Sequence, residues 1–145
     1  MYDLRYATDE DYNFLYELNK TTMMKYVKEI WGWEESVQQK FFRDKFSYNK
    51  YKIIVCDNLD IGAISVSKND SDIFIDIIEI LPKYQNKGIG TSIINQIITD
   101  SKSEDFSRIL LQVFKKNSAK KLYDKLGFST IDETKTHYVM EFQLK

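Results

Sequence analysis

The sequence predicts one α/β (α+β) domain spanning residues 1–145, built on a mixed central sheet of about six to seven strands with helices on both faces. Three observations lead there. With 145 residues, 43% hydrophobic and 30% charged, the chain can bury one core and has a folded composition. Its apolar pattern switches between strand and helix spacing in the order β-α-α-β-β-β-α-β-α-β-β. Three successive antiparallel strands followed by a strand-helix-strand crossover give a mixed sheet. Finally, Ile73 to Leu81 is apolar on both faces, as a central strand covered on both sides must be.

Taken in order, Tyr2, Leu4 and Tyr6 alternate like a short strand. Thr8 with Asp11 after it resembles a helix N-terminus, and Phe14, Leu15 and Leu18 give the stripe of that helix. Ser36 is expected to cap a second helix running through Phe46, with Val37, Phe41 and Phe42 on its apolar stripe. Ile53–Cys56 and Ile61–Val66 read as strands around the turn Asp57–Asp60. A polar turn, Lys68 to Asp72, leads into the central strand, which Pro82 ends. Ile93, Ile94, Ile97 and Ile98 recur at helical spacing despite being β-branched. Ile109–Phe114 returns to strand. Ala119, Leu122, Tyr123 and Leu126 form the last helical stripe, with Gly127 as its C-terminal cap. Phe128–Ile131 and Tyr138–Leu144 finish as strands.

Composition narrows the function. A formal net charge of -1 supplies no whole-molecule field for nucleic acid or an anionic membrane, so neither is expected as a partner. A single cysteine, Cys56, and a single histidine, His137, exclude a disulfide framework and a cysteine- or histidine-rich metal centre, and no metal is expected. Cys56 lies on an apolar strand and reads as structural; His137 reads as a surface or packing residue. The apolar runs are too short to span a bilayer, and Met1–Arg5 lacks a signal-peptide core, so a cytoplasmic location is expected. Between Lys83 and Lys125 nine Lys/Arg stand against four Asp/Glu, a local +5 that leaves -6 elsewhere. Solvated helix faces account for such a cluster, and so does a seat for a polyanionic cofactor.

The segment joining the central strand to the next helix, Leu81-Pro82-Lys83-Tyr84-Gln85-Asn86-Lys87-Gly88-Ile89-Gly90-Thr91, is the most informative. Gly88 and Gly90 let the backbone bend and approach a ligand without a Cβ in the way. Free N–H groups at the positive end of a helix then form an anion site, with Lys87 beside it. A Walker loop needs its lysine after the glycine, whereas Lys87 precedes Gly88; a dinucleotide fingerprint needs a small residue where Ile93 stands. Both fail.

The pattern Gln85-x-x-Gly88-x-Gly90 instead resembles the pyrophosphate loop of the GNAT acetyltransferase superfamily. Asn117-Ser118-Ala119, Leu122-Tyr123 and Leu126-Gly127-Phe128 resemble that superfamily's second cofactor-side segment, in the family's order. The element order over almost the whole chain is similar to the GNAT fold as well.

The resemblance implies acetyl-CoA, or another acyl-CoA, as donor, with direct attack by a primary amine in a ternary complex. Residues Gln85, Asn86, Lys87, Gly88, Ile89, Gly90 and Thr91 would hold the pyrophosphate, and Asn117 would contact the cofactor. Backbone N–H groups of Ile80 and Leu81 would face the thioester carbonyl, where a donor aimed at the developing oxyanion accelerates acyl transfer. Tyr123 matches the family tyrosine that protonates the departing thiolate; its place on an apolar stripe would also suit plain packing. For the base, Asp76 and Glu79 are the charges on the central strand, on opposite faces unless a bulge intervenes. Asp76 is preferred, sharing the face of Phe74 and Ile80 where several relatives place a base. Many relatives carry a glutamate on the following strand, but Gln112 stands there and cannot act as one.

Acceptor choice in the superfamily comes from the first two helices and their connection, here Tyr26 to Glu35. Trp31, Trp33 and Glu34, with Glu35, would embrace a cationic amine by ring-face attraction and charge. Packing of the tryptophans and a favourable acidic helix start explain the same residues. A homodimer is compatible with the superfamily. Two other readings stay open at this level: an acyl-CoA binding or sensing module without catalysis, and an unrelated nucleotide-binding domain.

Overall fold

The computed structural model describes Met1–Lys145 and contains seven strands and four α-helices in the expected order. They are β1 (Asp3–Tyr6), α1 (Tyr12–Trp31), α2 (Glu35–Lys45), β2 (Lys52–Cys56), β3 (Leu59–Lys68), β4 (Asp72–Ile80), α3 (Ile89–Ser103), β5 (Arg108–Phe114), α4 (Ala119–Leu126), β6 (Ser129–Glu133) and β7 (His137–Gln143). The strands form one mixed sheet in the order β1-β2-β3-β4-β5-β7-β6, so the strand with two apolar faces, β4, is the central one. β4 runs parallel to β5 from Asp72↔Arg108 to Ile75↔Leu111, where the ladder ends. The pairs β1–β2, β2–β3, β5–β7 and β6–β7 are antiparallel.

By internal contacts the chain forms two units: Met1–Ser65 with Ile77–Gln85, and Val66–Asp76 with Asn86–Lys145. In the first, Leu15 and Leu18 of α1 are buried with Ala7, Ile53 and Ala63, and Phe14, Phe42, Phe46, Tyr51 and Leu81 close around them. Removing two leucines from water contributes roughly 1.5–3 kcal/mol each as an upper bound. Thr8 and Asp11 form a reciprocal capping box on a 3-10 turn (Asp9–Asp11) that leads into α1. Arg5 of β1 grips Asp11 through both its terminal nitrogens, at 2.9 and 2.8 Å, and reaches Asp60 of β3 at 2.9 Å. That pairing pulls the Asp11 carboxyl below its ordinary pKa.

The second helix departs from the sequence expectation twice. Its N-cap is Glu34, not Ser36, and Phe46 is its C-cap. Glu35 opens the helix because its carboxylate is bonded to Tyr16 and Lys20 of α1, a tertiary contact that outweighs a local cap. The apolar phase also differs: Val37 and Phe41 are 39% and 57% exposed, while Phe42 packs edge-on against Tyr12 and Tyr16. Phe46, one turn on, continues that face against Tyr12 and Tyr51.

In the second unit, α3 buries Ile93, Ile94 and Ile98 on one face. β5 buries alternate residues, Ile109, Leu111 and Val113. Arg108 bridges Asp72 of β4 at 3.1 Å and Glu141 of β7 at 2.8 Å. Gly127, at φ 103°, ends α4 in the left-handed conformation, and Phe128 follows it into the core. His137 packs on the Phe114 ring with centroids 4.1 Å apart. No helix is long and apolar enough to cross a membrane.

Candidate active site

After Ile80, Pro82–Tyr84 make a single 3-10 turn. Its bonds run from the Tyr84 N–H to the Leu81 carbonyl at 2.8 Å and from the Gln85 N–H to the Pro82 carbonyl at 3.2 Å. The Gln85 side chain then folds back, Nε2 donating to the Ile80 carbonyl at 2.7 Å. Asn86 and Gly88 follow in left-handed conformations, at φ 60° and 85°. No atom lies within 4 Å of a Cβ built on Gly88, so backbone shape rather than crowding calls for glycine there. α3 begins at Ile89, and its first bond joins the Ser92 N–H to the Gly88 carbonyl at 3.0 Å.

The N–H groups of Gly88, Ile89, Gly90 and Thr91 are therefore left without helical acceptors, at the positive end of α3. Lys87 beside them is exposed, and no acidic residue occurs from Lys83 to Thr91. These groups fit a diphosphate. Main-chain donors and the helix dipole meet at one exposed turn, with Lys87 next to them in sequence.

Of the two donors expected at the strand tip, one is already engaged. The Leu81 N–H is bonded to the Ile61 carbonyl at 2.8 Å, so it has no proton left for a thioester oxygen. Alternation turns the N–H of Ile80 to the other edge of β4, and Ile80 is the member of the pair suited to that role.

The two carboxylates of β4 lie in opposite environments. Asp76 is exposed, and with Gln112, also exposed, it is the first position past the β4–β5 ladder. Glu79 shares the parity of Ile73 and Ile75 and is only 7% exposed. Asn19 of α1 donates to its Oε2 at 2.9 Å. Burial pushes the Glu79 carboxyl up to about 7, against a smaller opposing effect from Asn19 and Thr22, which favour the ionised form. Gly62 on β3 permits the close packing here: a Cβ on it would stand 2.3 Å from the Glu79 carbonyl oxygen. Sequence reasoning missed Asn19. The signal was there, since Asn19 and Thr22 continue the stripe of Leu15 and Leu18 at helical spacing, and a polar residue on a buried face needs a partner.

In the second unit Tyr123 is buried on α4 against Phe128, ring centroids 6.0 Å apart. Its hydroxyl has no hydrogen-bond partner within the protein, and burial raises its pKa to about 12. Asn117 Oδ1 accepts from the Ala119 N–H at 2.9 Å, a turn that leads into α4, whose N-cap is Ser118.

The segment expected to face the acceptor belongs to the first unit. Trp31 ends α1 and is 63% exposed; Gly32 follows at φ 81°. Trp33 is half-buried with its indole nitrogen enclosed, and Glu34 is exposed. Glu35 is engaged with Tyr16 and Lys20, leaving Glu34 as the free carboxylate of the pair.

Residues 12–128 match the family model described as acetyltransferase (GNAT) family. A ribosomal protein bS18–alanine N-acetyltransferase of Haemophilus influenzae is 38% identical over 61 residues, a match spanning 42% of this chain and 42% of that relative. The fold is similar to a crystal structure of PaiA N-acetyltransferase from Thermoplasma acidophilum in complex with coenzyme A, with TM-score 0.80, 20% identity and 99% coverage of both chains. It also resembles the ribosomal-protein-S18-alanine N-acetyltransferase from Escherichia coli, with TM-score 0.71, 15% identity and coverage of 100% of this chain and 95% of that one.

Proposed function

The chain belongs to the acetyltransferase (GNAT) family, and from that premise we propose that it transfers acetyl from acetyl-CoA to a primary amine by direct attack. The observation that carries the donor half is the run of unbonded N–H groups from Gly88 to Thr91, directly after the central strand and its turn. Those amides, the dipole of α3 and Lys87 hold the diphosphate. Asn86 shapes the turn, and Gln85 fixes the turn to the strand tip rather than binding phosphate itself. The Ile80 N–H polarises the acyl carbonyl. Asn117 orders the start of α4, which carries Tyr123.

When bound, acetyl-CoA would supply the activated thioester; the protein supplies position and protons. Glu79 is the better base of the two carboxylates, because burial brings its pKa to about 7 while Asp76 is exposed. It takes a proton from the ammonium, directly or through water, freeing the nitrogen lone pair. The amine then forms the new N–C bond as the C–S bond breaks, and the second proton of the acylated nitrogen leaves to water. Tyr123 donates its phenolic proton to the departing sulfur, and solvent restores it. A phenol raised to about 12 keeps that proton until it is called for.

Trp31, Trp33 and Glu34 form the acceptor-facing group of this reading, suited to a cation beside rings. The relative named for bS18 alanine makes a protein α-amine the first acceptor to test. Thiol release from acetyl-CoA is measured against peptides beginning with alanine, polyamines and small amines. Turnover with one class identifies the acceptor. No turnover with any amine, despite coenzyme A binding, contradicts the transfer reading.

A further inference from the structure

We propose that Asn19 is a positioning residue for the reaction: its side-chain amide holds the Glu79 carboxylate in one orientation and in the ionised form that accepts the substrate proton. The inference rests on the transfer reading above. Its footing is geometric. Asn19 Nδ2 lies 2.9 Å from Glu79 Oε2, across 60 residues of sequence, from the apolar face of α1 to the central strand. A hydrogen bond to a buried carboxylate has directional and energetic weight that an exposed one lacks. The donor also has no acceptor chemistry to offer at that nitrogen, so the contact favours carboxylate over carboxylic acid.

The surroundings contain little else that could do this. Thr22, three residues on along the same helix face, also favours the ionised form, but its hydroxyl donates to the Leu18 carbonyl at 2.9 Å. From β3, Gly62 presents no side chain. From the segment before β2, Tyr51 faces Glu79; burial and then the carboxylate itself push that phenol up to about 12, so it stays neutral while Glu79 titrates. Leu15, Leu18 and Tyr26 continue the same α1 face and are buried. A carboxylate in so apolar a setting, stripped of its amide partner, would remain protonated to higher pH.

The test reads the group directly. Glu79 is titrated by carbon-13 NMR in the wild type, in Asn19→Ala and in the near-isosteric Asn19→Asp, alongside kcat/KM against pH. Melting temperatures confirm that each variant is folded. In Asn19→Ala the Glu79 midpoint is expected to rise by about half to one pH unit, the acid limb of kcat/KM moving with it while the high-pH plateau stays within about threefold. Asn19→Asp exchanges donor for acceptor and is expected to move both further. An unchanged or lowered midpoint overturns the assignment of Asn19. A raised midpoint with an unmoved acid limb overturns Glu79 as the base, and with it the reading on which the inference stands.

Discussion

The side-chain amide of Gln85 donates to the main-chain carbonyl of Ile80 at 2.7 Å, so the turn that follows the central strand is tied to the tip of that strand. Gln85 is exposed, and its bond adds little to folding. Gln85→Ala is expected to weaken coenzyme A binding about threefold to tenfold, roughly 1 kcal/mol, and to leave the melting temperature almost unchanged. Calorimetric titration and a thermal melt check both halves.

Gly88 sits at φ 85° with nothing near its missing Cβ. The cost of a side chain there is backbone strain, about 1–2 kcal/mol. Gly88→Ala should lower both stability and coenzyme A affinity, whereas Gly88→Asn, which tolerates the left-handed region, should lose less. Equal losses would indicate crowding instead.

Gly62 has the opposite cause. A Cβ there would meet the Glu79 carbonyl oxygen at 2.3 Å and the Ile80 Cα at 3.2 Å, so backbone must move. Gly62→Ala is expected to destabilise by at least about 1–3 kcal/mol in a denaturant melt and to impair turnover by displacing the strand that carries Glu79.

Tyr123 is buried without a hydrogen bond to its hydroxyl. Tyr123→Phe removes no structural contact and should melt within a degree or two of the wild type. Turnover should fall about 10²-fold or more, with coenzyme A affinity within about twofold. A variant of unchanged activity assigns Tyr123 to packing.

Burial raises Glu79 from an ordinary 4.5 to about 7, so the folded protein holds this proton more tightly than the unfolded chain. Its contribution to stability is whole below about pH 4.5 and is lost as pH rises through 7. Glu79→Gln keeps an acceptor for Asn19 and cannot ionise. The melting temperature of the wild type should therefore fall relative to that of Glu79→Gln between these pH values, while kcat/KM of the wild type rises over the same window. A difference that is flat with pH contradicts the buried acid.

The element order was legible because each element has its own period. The alternation of β5 and the isoleucines of α3 both reach the core as their spacing requires. The loop was legible because Gly88 and Gly90 fall where a strand runs into a helix. Long-range partners were not. The start of α2 follows the bonds of Glu35 to Tyr16 and Lys20 rather than the capping preference of Ser36. Strand parity separated Asp76 from Glu79 but did not say which face was the buried one, a matter decided by the packing of α1. Nor does sequence show that the Leu81 amide is already bonded to Ile61, since that depends on the register of β3.

If main-chain amides at the start of α3 grip a diphosphate, nitrogen-15 amide shifts during a coenzyme A titration show it most directly. Gly88, Ile89, Gly90 and Thr91 should show the largest changes with coenzyme A and with its 3′-dephospho form, and almost none with pantetheine, which lacks the diphosphate. Saturable binding that leaves those four signals in place would contradict it.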